Sequence, residues 1–186
     1  MEWKVGTRRC VEQMMRKRDP RRPRAESTPR KAYAYGVVAM GGTFDVLHDG
    51  HTKLLRHAFS VGRRVMIGVT SDDFARSLHK PHKVDPYTKR LVDLERMLKR
   101  WRVFRRARIV PLHDRYGPTV KLSNIDALVV SKRTIKTAYE INATRRVNGL
   151  KPLVIVPIDL LLAEDRRPIS STRIRRGKID RHGRLV

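Results

Sequence analysis

From Tyr35 onward, five short apolar runs alternate with longer segments of helical periodicity. This alternation constrains the fold more than any other feature of the chain. The runs are Gly36–Met40, Arg64–Val69, Ala107–Pro111, Ala127–Val130 and Leu153–Val156. Each is rich in Val or Ile and shows no polar alternation, the pattern of strands buried on both faces of a parallel sheet. Helical patterns fall near 51–61, 86–101 and 134–147, with a last short one from Ser171. Leu91, Leu94, Leu98 and Trp101 recur at three- and four-residue spacing, as a core-facing stripe does. Gly62 and Gly149 fit helix C-caps, and Asp85 with Pro86 fits an N-cap and first turn. Strands separated by helices predict an α/β domain: an open parallel five-stranded sheet with helices on both faces.

In such a sheet, ligands bind beyond the carboxyl ends of the strands. Polar clusters fall at those ends: Thr43-Phe44 after the first run, Ser71-Asp72-Asp73 after the second and Ser131-Lys132-Arg133 after the fourth. The first is the richest. Gly36–Met40 leads into Gly41-Gly42-Thr43-Phe44-Asp45-Val46-Leu47-His48-Asp49-Gly50-His51, and a helical pattern follows. A strand, a glycine-rich turn and a helix start are the ingredients of an anion site, because backbone N–H groups and the helix dipole favour negative charge there. His48 and His51 add protonatable donors to it.

Charge fits anionic partners. Lys and Arg number 43 against 18 Asp and Glu, a formal net charge of +25, which suits either nucleic acid or phosphorylated small molecules. The 186 residues are enough for one domain with a sizeable core. A lone cysteine, Cys10, rules out a disulfide within the chain. No apolar run reaches the roughly 18 residues of a membrane span, and none near the start resembles a secretory leader. The expectation is a soluble, cytoplasmic protein with no membrane partner. Residues 1–32 differ from the rest, with eleven Lys/Arg against four acids and Pro20, Pro23 and Pro29 clustered. They read as a flexible basic extension, the remaining residues 33–186 forming the domain. A nucleic-acid arm is the functional alternative to a solvated tail. Otherwise, the scarcity of aromatic residues and of base-reading motifs speaks against a nucleic-acid partner.

Two segments carry a family resemblance. His48-Asp49-Gly50-His51 resembles the His-x-Gly-His signature of the nucleotidyltransferase superfamily, and Ile169-Ser170-Ser171-Thr172-Arg173-Ile174-Arg175 resembles its second signature. The double glycine before Thr43-Phe44-Asp45, the Tyr116-Gly117-Pro118-Thr119 segment and Asn142…Arg145-Arg146…Gly149-Leu150-Lys151-Pro152 look like the archaeal type of phosphopantetheine adenylyltransferase. So does the ending Leu162-Ala163-Glu164-Asp165…Pro168 through Gly177. The similarity covers about residues 35–186. It implies a Rossmann-like fold and transfer of the adenylyl group of ATP to 4′-phosphopantetheine, giving dephospho-coenzyme A and pyrophosphate. Related cytidylyltransferases and FAD synthetases share the first signature, and Arg167-Pro168 before Ile169 departs from the usual cytidylyltransferase ending.

The resemblance also implies roles. His51, His48 and Thr43 would be the catalytic group around the transferring phosphates, with Gly42 and Phe44 beside them. Ile169, Ser170, Ser171, Thr172 and Arg175 would hold the distal phosphates of ATP, and Ser131, Lys132, Arg133 and Glu140 its base and ribose. Lys80 or Lys83 would reach the acceptor phosphate along with Thr43. Mg²⁺ would arrive with ATP. No zinc site is expected, since His48/His51 and His79/His82 have ligand-like spacing but only Cys10 to supply a thiolate. There is no P-loop sequence.

Overall fold

The computed structural model describes residues 32–186, so the expected basic extension lies outside the described residues except for Ala32. Its five strands are β1 (Tyr35–Gly42), β2 (Gly62–Thr70), β3 (Ala107–Leu112), β4 (Ala127–Ser131) and β5 (Val154–Ile158). All pair in parallel, in the order β3-β2-β1-β4-β5. The sheet is the one the apolar runs predict. β1 is central, with Val38 opposite both Val65 of β2 and Ala127 of β4. From β1 the chain winds outward to β3, then returns to the other side for β4 and β5. The crevice between β1 and β4, where the winding reverses, is where such sheets bind ligands.

Five helices connect and cover the strands: α1 (Asp49–Val61), α2 (Asp72–Ser77), α3 (Tyr87–Arg100), α4 (Ile135–Val147) and α5 (Ser171–Arg175). Strand side chains alternate between two cores. On one face, Val38, Met40, Val65, Ile67 and Val129 pack with Leu55, Ala58 and Phe59 of α1 and with Leu94 and Leu98 of α3. On the other, Ala39, Met66, Leu128 and Val130 pack with Ala138 and Ile141 of α4. Burying such side chains contributes roughly 1.5–3 kcal/mol each, which is why helices cover both faces.

Two local details differ from the expectations, and a third, the C-cap at Gly62, holds with a different backbone shape. Ser71-Asp72-Asp73 opens a short helix, α2, where Ser71 Oγ accepts from the Phe74 amide at 3.1 Å. Only six residues follow that cap, too few to show a periodicity. Asp85 does not cap α3. Pro86 takes that position without a side-chain bond, and the Asp85 carboxylate is drawn instead to Lys89 at 2.7 Å and Arg175 at 2.8 Å. Gly62 ends α1 in an extended conformation and at once begins β2. A Cβ there would lie 2.7 Å from Val38 Cγ2, so glycine is required for packing rather than for a left-handed turn. Gly149, at φ +70°, is the left-handed residue that follows α4.

Two buried arginines tie loops to this frame. Arg145 of α4 donates to the Lys151 carbonyl at 2.7 Å, the Leu122 carbonyl at 2.8 Å and the Thr119 carbonyl. Arg90 of α3 does the same on the ligand-binding side of the sheet. Leu94 of α3, fully buried in the core it shares with α1, tests the packing: Leu94→Ala should lower unfolding free energy by about 2–5 kcal/mol, read as a shift in urea midpoint at unchanged slope.

Candidate functional site

The turn after β1 is held in an unusual shape. Phe44 and Val46 both have positive φ, 53° and 41°. For a β-branched residue such as Val46 this conformation is costly, of the order of 1–2 kcal/mol. Asp45 lies between them, fully buried. Its carboxylate accepts from Arg175 Nη2 at 2.8 Å and from the Asp85 amide at 3.1 Å. Its carbonyl accepts from the Ser171 hydroxyl. Burial by itself would raise the Asp45 pKa, but the Arg175 guanidinium and the Asp85 amide outweigh it and hold the carboxyl below its usual range. The turn is therefore fastened to α5 and to the loop before α3, the two segments that form its walls.

Beyond the turn, His48 is the N-cap of α1, in an extended conformation, its Nδ1 accepting from the His51 amide at 3.4 Å. A neutral ring that accepts at Nδ1 carries its proton on Nε2, where it can donate. Gly50 makes room: a Cβ there would lie 2.9 Å from His48 Cε1. The His48 and His51 rings stack with centroids 3.8 Å apart, and Phe44 lies 5.3 Å from His51. The Nδ1 of His51 is buried with no hydrogen-bond partner. Burial lowers the His48 pKa to about 4. Burial also holds the His51 pKa well below its usual value, with His48 and Lys80 adding to the effect. Both rings are thus neutral at pH 7.

These residues line a cleft with Gly41, Gly42, Phe44, Lys80, Ser131, Arg133, Ile169, Ser170, Ser171 and Thr172. Both signature segments therefore meet in one place. The hydroxyl of Ser170 caps α5 by accepting from the Arg173 amide. The far end of the cleft is formed by Lys53, Leu54 and the loop Ile158–Leu161 after β5. A second pocket, about 480 Å³, opens on the other side of Gly41–Gly42, lined by Thr43, Phe74, Leu112, Tyr116, Thr137 and Ile141 among others. It is mainly apolar and within the size range of small-molecule sites. The two share Gly41 and Gly42, and beside these the Thr43 hydroxyl, on the second pocket, accepts from Lys80 Nζ, on the cleft, at 2.8 Å. Burial lowers the Lys80 pKa, an effect that Asp45 opposes.

Other residues singled out from sequence lie elsewhere. Lys83 is exposed and lines neither the cleft nor the second pocket. Lys132 is exposed and pairs with Asp159 at 2.8 Å. Glu140 lies on α4 between Tyr116 Oη at 3.5 Å and Arg115 at 3.7 Å, outside the cleft lining. Arg175 spans Asp45 and Asp85 and is not in the cleft lining either. Sequence reading overlooked Arg90. Only 1% exposed, it donates to the Thr43 carbonyl at 2.8 Å, the Asp85 carbonyl at 2.8 Å and Asp72 at 3.0 Å. The signal was present: Arg90, Leu94 and Leu98 form one i, i+4 row, and an arginine in an apolar row is a buried cation seeking partners.

The protonation state is testable. Between about pH 4 and 6.5 the unfolded chain binds more protons at His48 than the folded one does. Stability is therefore present in full above about pH 6.5 and falls as pH drops through that window. The urea midpoint should drop from pH 7 to pH 5, and drop less in His48→Asn, whose amide retains the cap. Equal slopes in the two proteins would contradict the neutral assignment.

A family model described as cytidylyltransferase-like matches residues 39–177. A phosphopantetheine adenylyltransferase of Methanothermobacter thermautotrophicus is 47% identical over 156 residues, covering 82% of this chain and 90% of that protein. One from Pyrococcus furiosus is 43% identical over 152 residues, covering 82% and 94%. Among solved structures, an Archaeoglobus fulgidus protein of unknown function matches with a TM-score of 0.60 at 35% identity, over 72% of this chain and 98% of that one. A lipopolysaccharide core biosynthesis protein of Thermoplasma volcanium shares the fold, with a TM-score of 0.52 at 22% identity, over 66% and 95%.

Proposed function

The chain belongs to the phosphopantetheine adenylyltransferases, within the cytidylyltransferase-like family, and from that premise we propose how its two connected pockets carry out adenylyl transfer. The reaction joins ATP and 4′-phosphopantetheine into dephospho-coenzyme A and releases pyrophosphate, a step of coenzyme A biosynthesis. A phosphate oxygen of the acceptor attacks the α-phosphorus of ATP in line, and pyrophosphate leaves with the electrons of the broken P–O bond. The nucleophile is already anionic, so no strong base is required. Catalysis is then positioning plus neutralisation of charge on the transferred group.

ATP occupies the cleft that both signature segments line. Its phosphates lie along His48, His51 and the Ser170-Ser171-Thr172 start of α5, and its base and ribose lie toward Ser131, Arg133 and the loop after β5. The pantetheine arm takes the apolar pocket on the other side of Gly41–Gly42. Its phosphate meets Lys80 and Thr43, where the pockets join. That junction is the observation that carries the reading: Lys80 Nζ, on the cleft, lies 2.8 Å from the hydroxyl of Thr43, on the second pocket, next to Gly41 and Gly42, which line both. His51 and His48 then stabilise the α-phosphoryl group as charge develops.

Mg²⁺ fits this site as part of the substrate, MgATP. The nearby carboxylates are engaged by cations, Asp45 by Arg175 and Asp159 by Lys132. The donor set therefore suits an ion held by phosphate oxygens and water.

Pyrophosphate release tests the assignment. ATP with 4′-phosphopantetheine should turn over, while CTP with glycerol phosphate and ATP with FMN should not. Turnover with FMN or glycerol phosphate alone would reassign the acceptor. His51→Ala should lower kcat by about 10²-fold or more in a folded protein, as expected when one transition-state donor is lost. Near-normal kcat would remove His51 from the mechanism.

A further inference from the structure

The loop between α2 and α3 presents Lys80 to Thr43, yet short-range order gives it little reason to do so. His79, just before the lysine, has a φ of 46°, a left-handed conformation that is unfavourable for a residue bearing a Cβ. Something must hold the loop closed against that cost. Lys80 cannot supply it all, because its ammonium loses solvation on being drawn inward.

His82 is placed to do so. Its side chain is 7% exposed, although the loop on either side of it, at Pro81 and Lys83, is exposed. Its Nε2 lies 3.3 Å from Asp45 Oδ2, an ion-pair distance without the alignment of a hydrogen bond. Neither ring nitrogen has a hydrogen-bond partner. A buried imidazole with no competing partner is a poor choice for packing alone, since an unsatisfied polar group costs about 1–3 kcal/mol. Set against a buried carboxylate, the same imidazole can anchor a loop. Asp45 already receives the Asp85 amide from the end of this segment, so the two contacts grip the loop on the α3 side of Lys80.

We propose that His82 is a positioning residue for the transfer reaction: by docking on Asp45, it closes the loop and holds the Lys80 ammonium on Thr43, where the acceptor phosphate binds. His82 itself touches neither substrate. The proposal rests on the reading of Lys80 as the acceptor-phosphate lysine. Because Asp45 also holds Arg175 of the second signature segment, the position of the acceptor lysine depends on a carboxylate that the nucleotide side has fixed.

Steady-state kinetics of the full chain test this. His82→Ala should raise KM for 4′-phosphopantetheine tenfold or more, leaving KM for ATP within about twofold. A merely structural role would move both constants and the melting temperature together. His82→Gln, whose amide can reach Asp45 in place of Nε2, should bring the acceptor KM back to within about threefold of the parent. Lys80→Ala should raise the acceptor KM at least as much, and Lys80→Ala with His82→Ala should be no worse than Lys80→Ala. If Lys80→Ala raises the acceptor KM and neither His82 variant does, the positioning role is overturned while the reading of Lys80 stands. If Lys80→Ala has no effect, both fall. Additive effects in the double variant would also overturn the proposal, since His82 would then act independently of Lys80.

Discussion

The buried carboxylate of Asp45 is the interaction on which the rest of the site depends. It stands between two residues in left-handed conformations, Phe44 and Val46, and draws in Arg175, the Asp85 amide and the His82 ring. Removing a carboxylate from water costs several kcal/mol, recovered only when its partners are all in place with good geometry. The turn, the start of α5 and the loop before α3 therefore stabilise one another or none does. This explains why two signature segments separated by well over a hundred positions occur together: each supplies what the other needs in order to adopt its shape.

A second constraint is electrostatic. A chain with a formal net charge of +25 might be expected to fill its cleft with cations. Instead the first signature segment sets two neutral histidines, stacked on each other, in the cleft. Two imidazolium rings 3.8 Å apart would repel, and desolvation opposes even one. The surrounding basic surface draws anionic substrates toward the protein over a distance set by ionic strength. In the proposed reaction, the neutral rings are preorganised donors whose interaction strengthens as charge develops on phosphorus. Long-range attraction and local stabilisation are thus carried by different residues.

Arg90 and Arg145 show a related economy. Each is a buried cation that reaches into loops: Arg145 donates to three backbone carbonyls, and Arg90 to two carbonyls, the Thr70 hydroxyl and Asp72. A guanidinium can serve several carbonyls at once from a fixed plane, which suits loops that lack regular hydrogen bonding of their own. Arg90 fixes the backbone of Thr43 from beneath, so that its hydroxyl can face Lys80.

Much of this was legible in the sequence. Apolar runs without alternation specify parallel strands because both faces of such a sheet are buried, and the helices between them leave few topologies. Gly41–His51 was legible as a candidate anion site because a strand, glycines and a helix start have local physical reasons to form one, whereas Ile169–Arg175 was legible through its family resemblance. Tertiary structure decided what local pattern does not encode. It set Lys80 rather than Lys83 on Thr43, since both are lysines in one loop and only the docking of that loop separates them. It drew Asp85 away from capping α3 and toward Arg175, because a distant cation outweighs a helix end. It set Lys132 on Asp159 at the far end of the cleft and turned Glu140 to Tyr116 and Arg115, outside the cleft lining. Local order follows from neighbours in the chain, whereas the pairing of buried charges depends on which segments the folded sheet brings within a few ångströms.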